Sequence, residues 1–274
     1  MANNTLFLET TAIIDHCFAA ATGRIDRILE QHEKKLSAQY VRMEIKRGVL
    51  QYLVLLHNKL TTYTSYYEVM DSIYRLSATS SRNRLSSLLK AMAEFFKDVE
   101  KEKIDNLDEY LRREMASYTR ILIRRLWNSL ERLAEDLLNP MDCYLDIAPP
   151  RQAGAVLHND GSQCNKSEIE CKIKEFFEAH RKDFEAILKA LQALPEPDPE
   201  TKRRIKSLKE ILRLLPYASR KFSNKEHNFK NCWSCGDAIL AVLSPVKSTI
   251  LTSNLKHYQP ICNVIDRKVI SYRE

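Results

Sequence analysis

An α/β core carrying a mostly helical insertion is the fold class this 274-residue sequence predicts, on three observations. Short apolar runs of strand character stand near both ends, at 5–8 and 248–252, with Val269-Ile270 as a candidate closing strand. The middle keeps a helical period: apolar residues at 111, 115, 118, 122, 126, 130, 133 and 137 recur about every 3.7 residues. Only five glycines occur, too few for the turns of an all-β sandwich or barrel. With 44% hydrophobic residues the chain can bury the core of one large domain or two modest ones.

Residues 5–9 read as a strand with Leu6 and Leu8 on one side and Phe7 on the other, apolar on both faces as a buried parallel strand requires. Thr10 or Thr11 then caps a helix through Phe18, Gly23 breaks it, and a second helix covers about 24–35. Ser37 caps a third, which carries Val41, Glu44, Ile45 and Val49. The pattern stays helical over 50–76, where Tyr52, Tyr63, Tyr66, Tyr67 and Tyr74 read as core or interface rings more than as base-stacking platforms. A polar break at 77–84 precedes a helix at 85–103, and the long helix of 107–138 stops at Asn139-Pro140. Residues 140–166, with Pro149-Pro150 and Asn159-Asp160-Gly161, form a long loop of the functional or flexible kind. Helical period resumes from Ile169 to Leu191, ends at 195–199, and returns at about 200–215. Gly236 then closes a loop, Asp237 opens a short apolar helix, and the strand at 248–252 delivers Asn254 at its carboxyl end. The division that follows is a core of 1–103 and 218–274 and a helical insertion of 104–217.

The net charge of +7 is uneven: between Glu200 and Lys230 ten Lys or Arg face three Glu, a surplus equal to that of the whole molecule. The segment reads either as a solvated helix face or as a phosphate-contacting surface built from Lys202, Arg203, Arg204, Lys206, Lys209, Arg213, Arg220 and Lys221. No run approaches the ~20 apolar residues of a membrane span, and the N-terminus lacks the positive start of a signal peptide. A cytoplasmic protein with reduced cysteines is expected. Cys232 and Cys235 form a C-x₂-C, with His227, His257 and Cys262 at hand, but no second paired motif accompanies them; buried free cysteines are expected ahead of zinc.

Ligands collect outside the carboxyl ends of parallel strands, and Glu9, Asp237 and Asn254 each stand where a strand stops or a helix starts. Glu44 lies on the apolar stripe of its helix, where a carboxylate must pair with Lys46 or Arg47 or bind a cation. Three carboxylates together suit a hard cation, Mg²⁺ or Mn²⁺, and such a centre promotes in-line attack of water on a phosphodiester.

Four pieces in this order resemble the PIN-domain nuclease family: Glu9-Thr10-Thr11 closing the first strand, Glu44 in Tyr40-Val41-Arg42-Met43-Glu44, Asp237 opening a late helix, and the turn Thr252-Ser253-Asn254 with Tyr258 and Pro260 after it. The resemblance covers roughly residues 1–60 and 225–272. It implies a three-layer α/β/α core with a short parallel sheet, and a metal-dependent endoribonuclease of toxin, RNA-processing or defence type. Glu9, Glu44 and Asp237 would be the metal ligands and Asn254 a further catalytic residue, with Thr10 and Thr252 hydrogen-bonding the carboxylates. Glu9 stands where the family usually has Asp, and Asn254 where a fourth Asp is frequent. RNA, or DNA, is the expected partner, a protein regulator or antitoxin and self-assembly are compatible with it, and a membrane is not. The alternative is a non-catalytic module in which the same scaffold presents a basic helical surface to nucleic acid or protein.

Overall fold

The first strand decides the architecture. Its residues Leu6, Phe7 and Leu8 are all fully buried, so strand β1 (Thr5–Leu8) must have cover on both faces and a neighbour along both edges. The computed structural model describes residues 4–18, 22–79, 109–143, 148–159, 171–215 and 232–273. In it β1 is flanked by β2 (Lys34–Ala38) and, by chain order the sixth strand, β6 (Thr249–Thr252). β3 (Asp136–Leu138) and β7 (Lys268–Ser271) complete a five-stranded sheet of order β3-β2-β1-β6-β7, every pairing parallel. Phe7 sits opposite both Leu36 and Ile250. β4 (Arg151–Ala153) and β5 (Val156–His158) form a separate antiparallel hairpin whose turn carries Gly154 at φ 62°, a left-handed conformation that a side chain disfavours.

Parallel strands need crossovers, and helices supply them. The chain order is α1 (Thr10–Cys17), α2 (Thr22–Glu30), α3 (Gln39–Ile45), a π turn (Lys46–Leu50), α4 (Gln51–Thr62), α5 (Tyr66–Thr79), α6 (Glu109–Leu133), α7 (Ile173–Ala179), α8 (Arg181–Gln192), α9 (Pro199–Leu214), α10 (Gly236–Leu243) and α11 (Leu255–Cys262). The helices pack in two groups: α1, α3, α4 and α6, and α8 to α11. This is an α/β fold with a parallel sheet, compatible with three layers. Among the described residues no helix is long and apolar enough to cross a membrane.

Three expectations change. Residues 34–38 are a strand, not a helix end and cap. Leu36 and the small Ala38 are the apolar residues of β2; Lys34 and Lys35 reach Asp136 and Glu135 at 2.9 and 3.6 Å, and Ser37 Oγ donates to Leu8 O at 2.8 Å. The long helix ends at Leu133, because 136–138 pairs with β2 as β3. The 104–217 boundary therefore fails: α6 packs on α1, α3 and α4, β3 belongs to the sheet, and Phe184, Ile187 and Leu208 share one apolar cluster with Leu6 and Tyr272. The helix expected at 85–103 lies outside the described residues.

From Gln39 to Thr62 the chain runs antiparallel to α6. Arg42 bonds Glu131 at 2.7 Å, His57 Nδ1 contacts Ala116 O at 3.0 Å, and Arg112 Nη1 donates to Leu60 O at 3.2 Å. Since α3 leaves the carboxyl end of β2, this pair forms an arm extending past that edge of the sheet. It has a small apolar cluster of its own, made by Leu56, Leu60, Val69, Ile73, Leu111, Met115 and Ala116.

Candidate functional site

The chain leaves β1 toward β2 on one side, while β6 and β7 fill the other. The crevice between the carboxyl ends of β1 and β6 is thus the place where an open α/β sheet receives ligands. Glu9 is the first residue there. It is the N-cap of α1, a role expected of Thr10 or Thr11: its carboxylate accepts from Thr11 N at 2.9 Å and from Thr11 Oγ1. Thr252 hydrogen-bonds it as well. With only 3% of its surface exposed, burial pushes the Glu9 carboxyl up to about 7 against these lowering hydrogen bonds, and Asp237 adds to the rise.

Glu44 comes from α3 and is half-buried. Lys46 and Arg47, the partners open to it in sequence, point elsewhere: Lys46 Nζ donates to Ala148 O at 2.6 Å and Arg47 lies over the Trp233 ring at 4.2 Å. Glu44 instead accepts from Thr10 Oγ1. Burial raises its carboxyl to about 8, and the charges of Asp237 and Glu9 add to this. A Cβ on Gly236 would come within 2.5 Å of Glu44 Oε1 and 3.3 Å of the Tyr40 hydroxyl, so a larger residue before Asp237 would have to displace the end of the Glu44 side chain.

Asp237 sits in the first turn of α10, where the helix dipole favours an anion. Its main partner is Arg204 of α9, through Nη2, and His257 Nδ1 lies 3.7 Å away. The expectation that Arg204 faces nucleic acid is therefore corrected: it is 2% exposed, also 3.7 Å from Glu200, and its Nε and Nη1 have no hydrogen-bond partner. Arg204 shares the helix face of Leu208, Ile211 and Leu215, and a cation on an apolar stripe was the signal for its burial. Lys202, Arg203, Lys206, Lys209 and Arg213 are exposed, whereas Arg220 and Lys221 lie outside the described residues.

The pull of Arg204 and His257 on Asp237 alters the metal set. Among the described residues, the His, Cys, Asp and Glu side chains whose ligand atoms all lie within 4.8 Å of one another are Glu200, Asp237 and His257. Glu9 and Glu44 flank that group, coupled to Asp237 electrostatically but not closed into it. This cluster could hold a metal ion. The cysteines are not part of it: Cys232, Cys235 and Cys262 are buried and outside any disulfide, and His257 is engaged by Asp198 at 3.0 Å.

Asn254 also turns toward His257. Its Nδ2 is 2.8 Å from His257 Nδ1, its own N–H bonds Thr252 Oγ1 at 2.9 Å, and Asp198 holds His257 Nε2. Asp198 is fixed as the N-cap of α9, accepting from Thr201 N at 2.8 Å, and that bond leads the causes that hold its carboxyl down at about 2. The signal was present: Asp198-Pro199 is a cap followed by proline at the first helical position, although it reads equally as a stop for the helix before it.

Comparison with family models, with curated proteins and with solved structures gave no match.

Proposed function

We propose that the chain is a metal-dependent endoribonuclease of PIN type, hydrolysing RNA phosphodiester bonds at the carboxyl ends of β1 and β6. The observation that carries this reading is the state of Glu9 and Glu44. Two carboxyls are raised to about 7 and 8 at the switch point of the sheet, and neither makes a salt bridge among the described residues. Burying acids beside one another is costly unless a cation compensates. Glu9 and Glu44, drawn in beside the Glu200, Asp237 and His257 group, would add hard oxygens to it, and a carboxylate-rich set of this kind suits Mg²⁺ or Mn²⁺. When bound, such an ion offsets the charge of the acids and of the phosphate and makes water a better nucleophile.

The remaining groups have tasks of their own. Thr10 and Thr252 fix the rotamers of Glu44 and Glu9. Asp198 orients His257, whose Nδ1 meets Asn254, and so holds that amide at the rim where a phosphate oxygen can be contacted. The exposed cations of α9 attract the polyanion. Asp237 serves as ligand only after turning away from Arg204.

That same pair favours a second reading, in which Arg204 is the permanent counter-ion of Asp237 and the scaffold binds nucleic acid without cutting it. Purified protein incubated with single-stranded RNA, tRNA and DNA, in Mn²⁺, Mg²⁺ or EDTA, separates the two. Divalent-dependent cleavage of RNA that falls at least a hundredfold in Asp237→Asn supports the nuclease. Binding without cleavage in both forms supports the scaffold. Cleavage confined to DNA would make it a DNA nuclease of related design.

A further inference from the structure

A cavity of about 680 Å³ lies on the arm, away from the acids. Arg112, Arg113, Arg120 and Arg124 of α6 line one wall, His57 of α4 another, and Gln152 of the β4–β5 hairpin a third. Arg120 and Arg124 are one turn apart, and Arg112 and Arg113 stand about two turns before Arg120, so the guanidinium groups gather on one side of the helix and repel one another unless an anion lies between them. Among the described residues the one acid in the lining is Glu109, which is already paired with Arg113 one turn away. Arg112 is spent on the carbonyls of Leu60 and Tyr63 and braces the wall. Arg120 and Arg124 make no hydrogen bond or ion pair among the described residues. Arg120 is half-buried, and its neighbour His57 has its Nδ1 on Ala116 O, which adds no negative charge to the site.

We propose that this cavity binds a phosphate ester of nucleotide size, taken either from a nucleic-acid strand or from a free nucleoside polyphosphate. The volume falls in the range of small-molecule sites, and guanidinium groups pair with phosphate oxygens through two parallel hydrogen bonds. Thirteen residues of helical rise separate Glu44 from His57, about 20 Å. The cavity is thus a site distinct from the acidic one and stands whether or not that one cuts.

The test measures binding in EDTA, so no cleavage enters. A fluorescein-labelled 12-nucleotide single-stranded RNA and a fluorescent ATP analogue are titrated separately into the full chain, into Arg120→Gln/Arg124→Gln, and into Lys206→Gln/Lys209→Gln on α9. Anisotropy is followed over a range of salt, and circular dichroism checks folding. The arginine pair is expected to weaken one probe at least tenfold; if that probe is RNA, the salt slope falls by about 1.4, two single-strand contacts. The lysine pair leaves ATP binding unchanged. Loss for RNA assigns a strand, and loss for ATP alone assigns a free nucleotide. Should neither probe bind, or should the arginine variant bind as the wild type does, the proposal is overturned. Arg124 is exposed, so Arg124→Glu alone gives the same reading if the double variant does not fold.

Discussion

Replacing Glu44 by glutamine tests whether the acids are held at a cost. In the metal-free protein the Glu44 carboxyl stands at about 8 and that of Glu9 at about 7, against an ordinary 4.5. Because the folded-state values are raised, the folded chain holds these protons more tightly than the unfolded one. Below about pH 4.5 both states are protonated and the shifts contribute nothing to the difference. As pH rises through 7 and 8 both carboxyls ionise in the fold, and the full penalty appears. Each pKa unit corresponds to about 1.4 kcal/mol; allowing for water reaching half-buried Glu44, a net penalty on the order of 3 kcal/mol is expected from that residue. Glutamine keeps the shape and an acceptor for Thr10 but carries no charge. Urea denaturation in EDTA should therefore find Glu44→Gln close to wild type at pH 4.5, more stable by about 1 kcal/mol at pH 5.5 and by about 3 kcal/mol at pH 8.5. Mn²⁺ should reverse the order at pH 8.5 by stabilising the wild type alone, since ligand carboxylates must be deprotonated. A difference that stays the same at all three pH values, or a wild type that is the more stable at pH 8.5 in EDTA, would refute the reasoning.

Three further outcomes follow from the same geometry. Gly236→Ala drives a methyl into Glu44 Oε1 and should destabilise the chain by about 1–3 kcal/mol in thermal melts while lowering Mn²⁺ affinity measured by calorimetry. Arg204→Met leaves Asp237 without its main partner; stability in EDTA should drop by about 3 kcal/mol and be recovered by Mn²⁺, whereas a drop that Mn²⁺ does not recover favours the non-catalytic scaffold. Asp198→Ala removes the cap of α9 and the partner of His257 Nε2, and should cost about 1 kcal/mol in urea denaturation; an unchanged midpoint would refute the capping role.

What could be read from the sequence depended on how local its cause was. β1 and β6 are apolar on both faces, and the period of α6 spans seven turns, so each announces itself. Glu9, Glu44, Asp237 and Asn254 fall at the carboxyl edge because strand ends and helix starts have short-range signatures. β2 has only Leu36 and Ala38 as apolar residues within Lys-Lys-Leu-Ser-Ala, and its place comes from two neighbours and two ion pairs remote in sequence. Arg204, Asp198 and His257 reach the site across 33 to 59 residues of chain; the apolar stripe tells that Arg204 turns inward, but nothing local tells which acid it meets there.

The π turn at 46–50 begins two residues beyond Glu44. Such a turn holds one residue more than an α-helix would, and each helical residue accounts for about 100° of rotation. The acid is set before that extra residue, and His57 on α4, which lines one wall of the cavity, comes after it. Their relative bearing around the helix axis therefore depends on a single inserted amino acid, and evolution could re-aim the arm by losing it without disturbing the sheet.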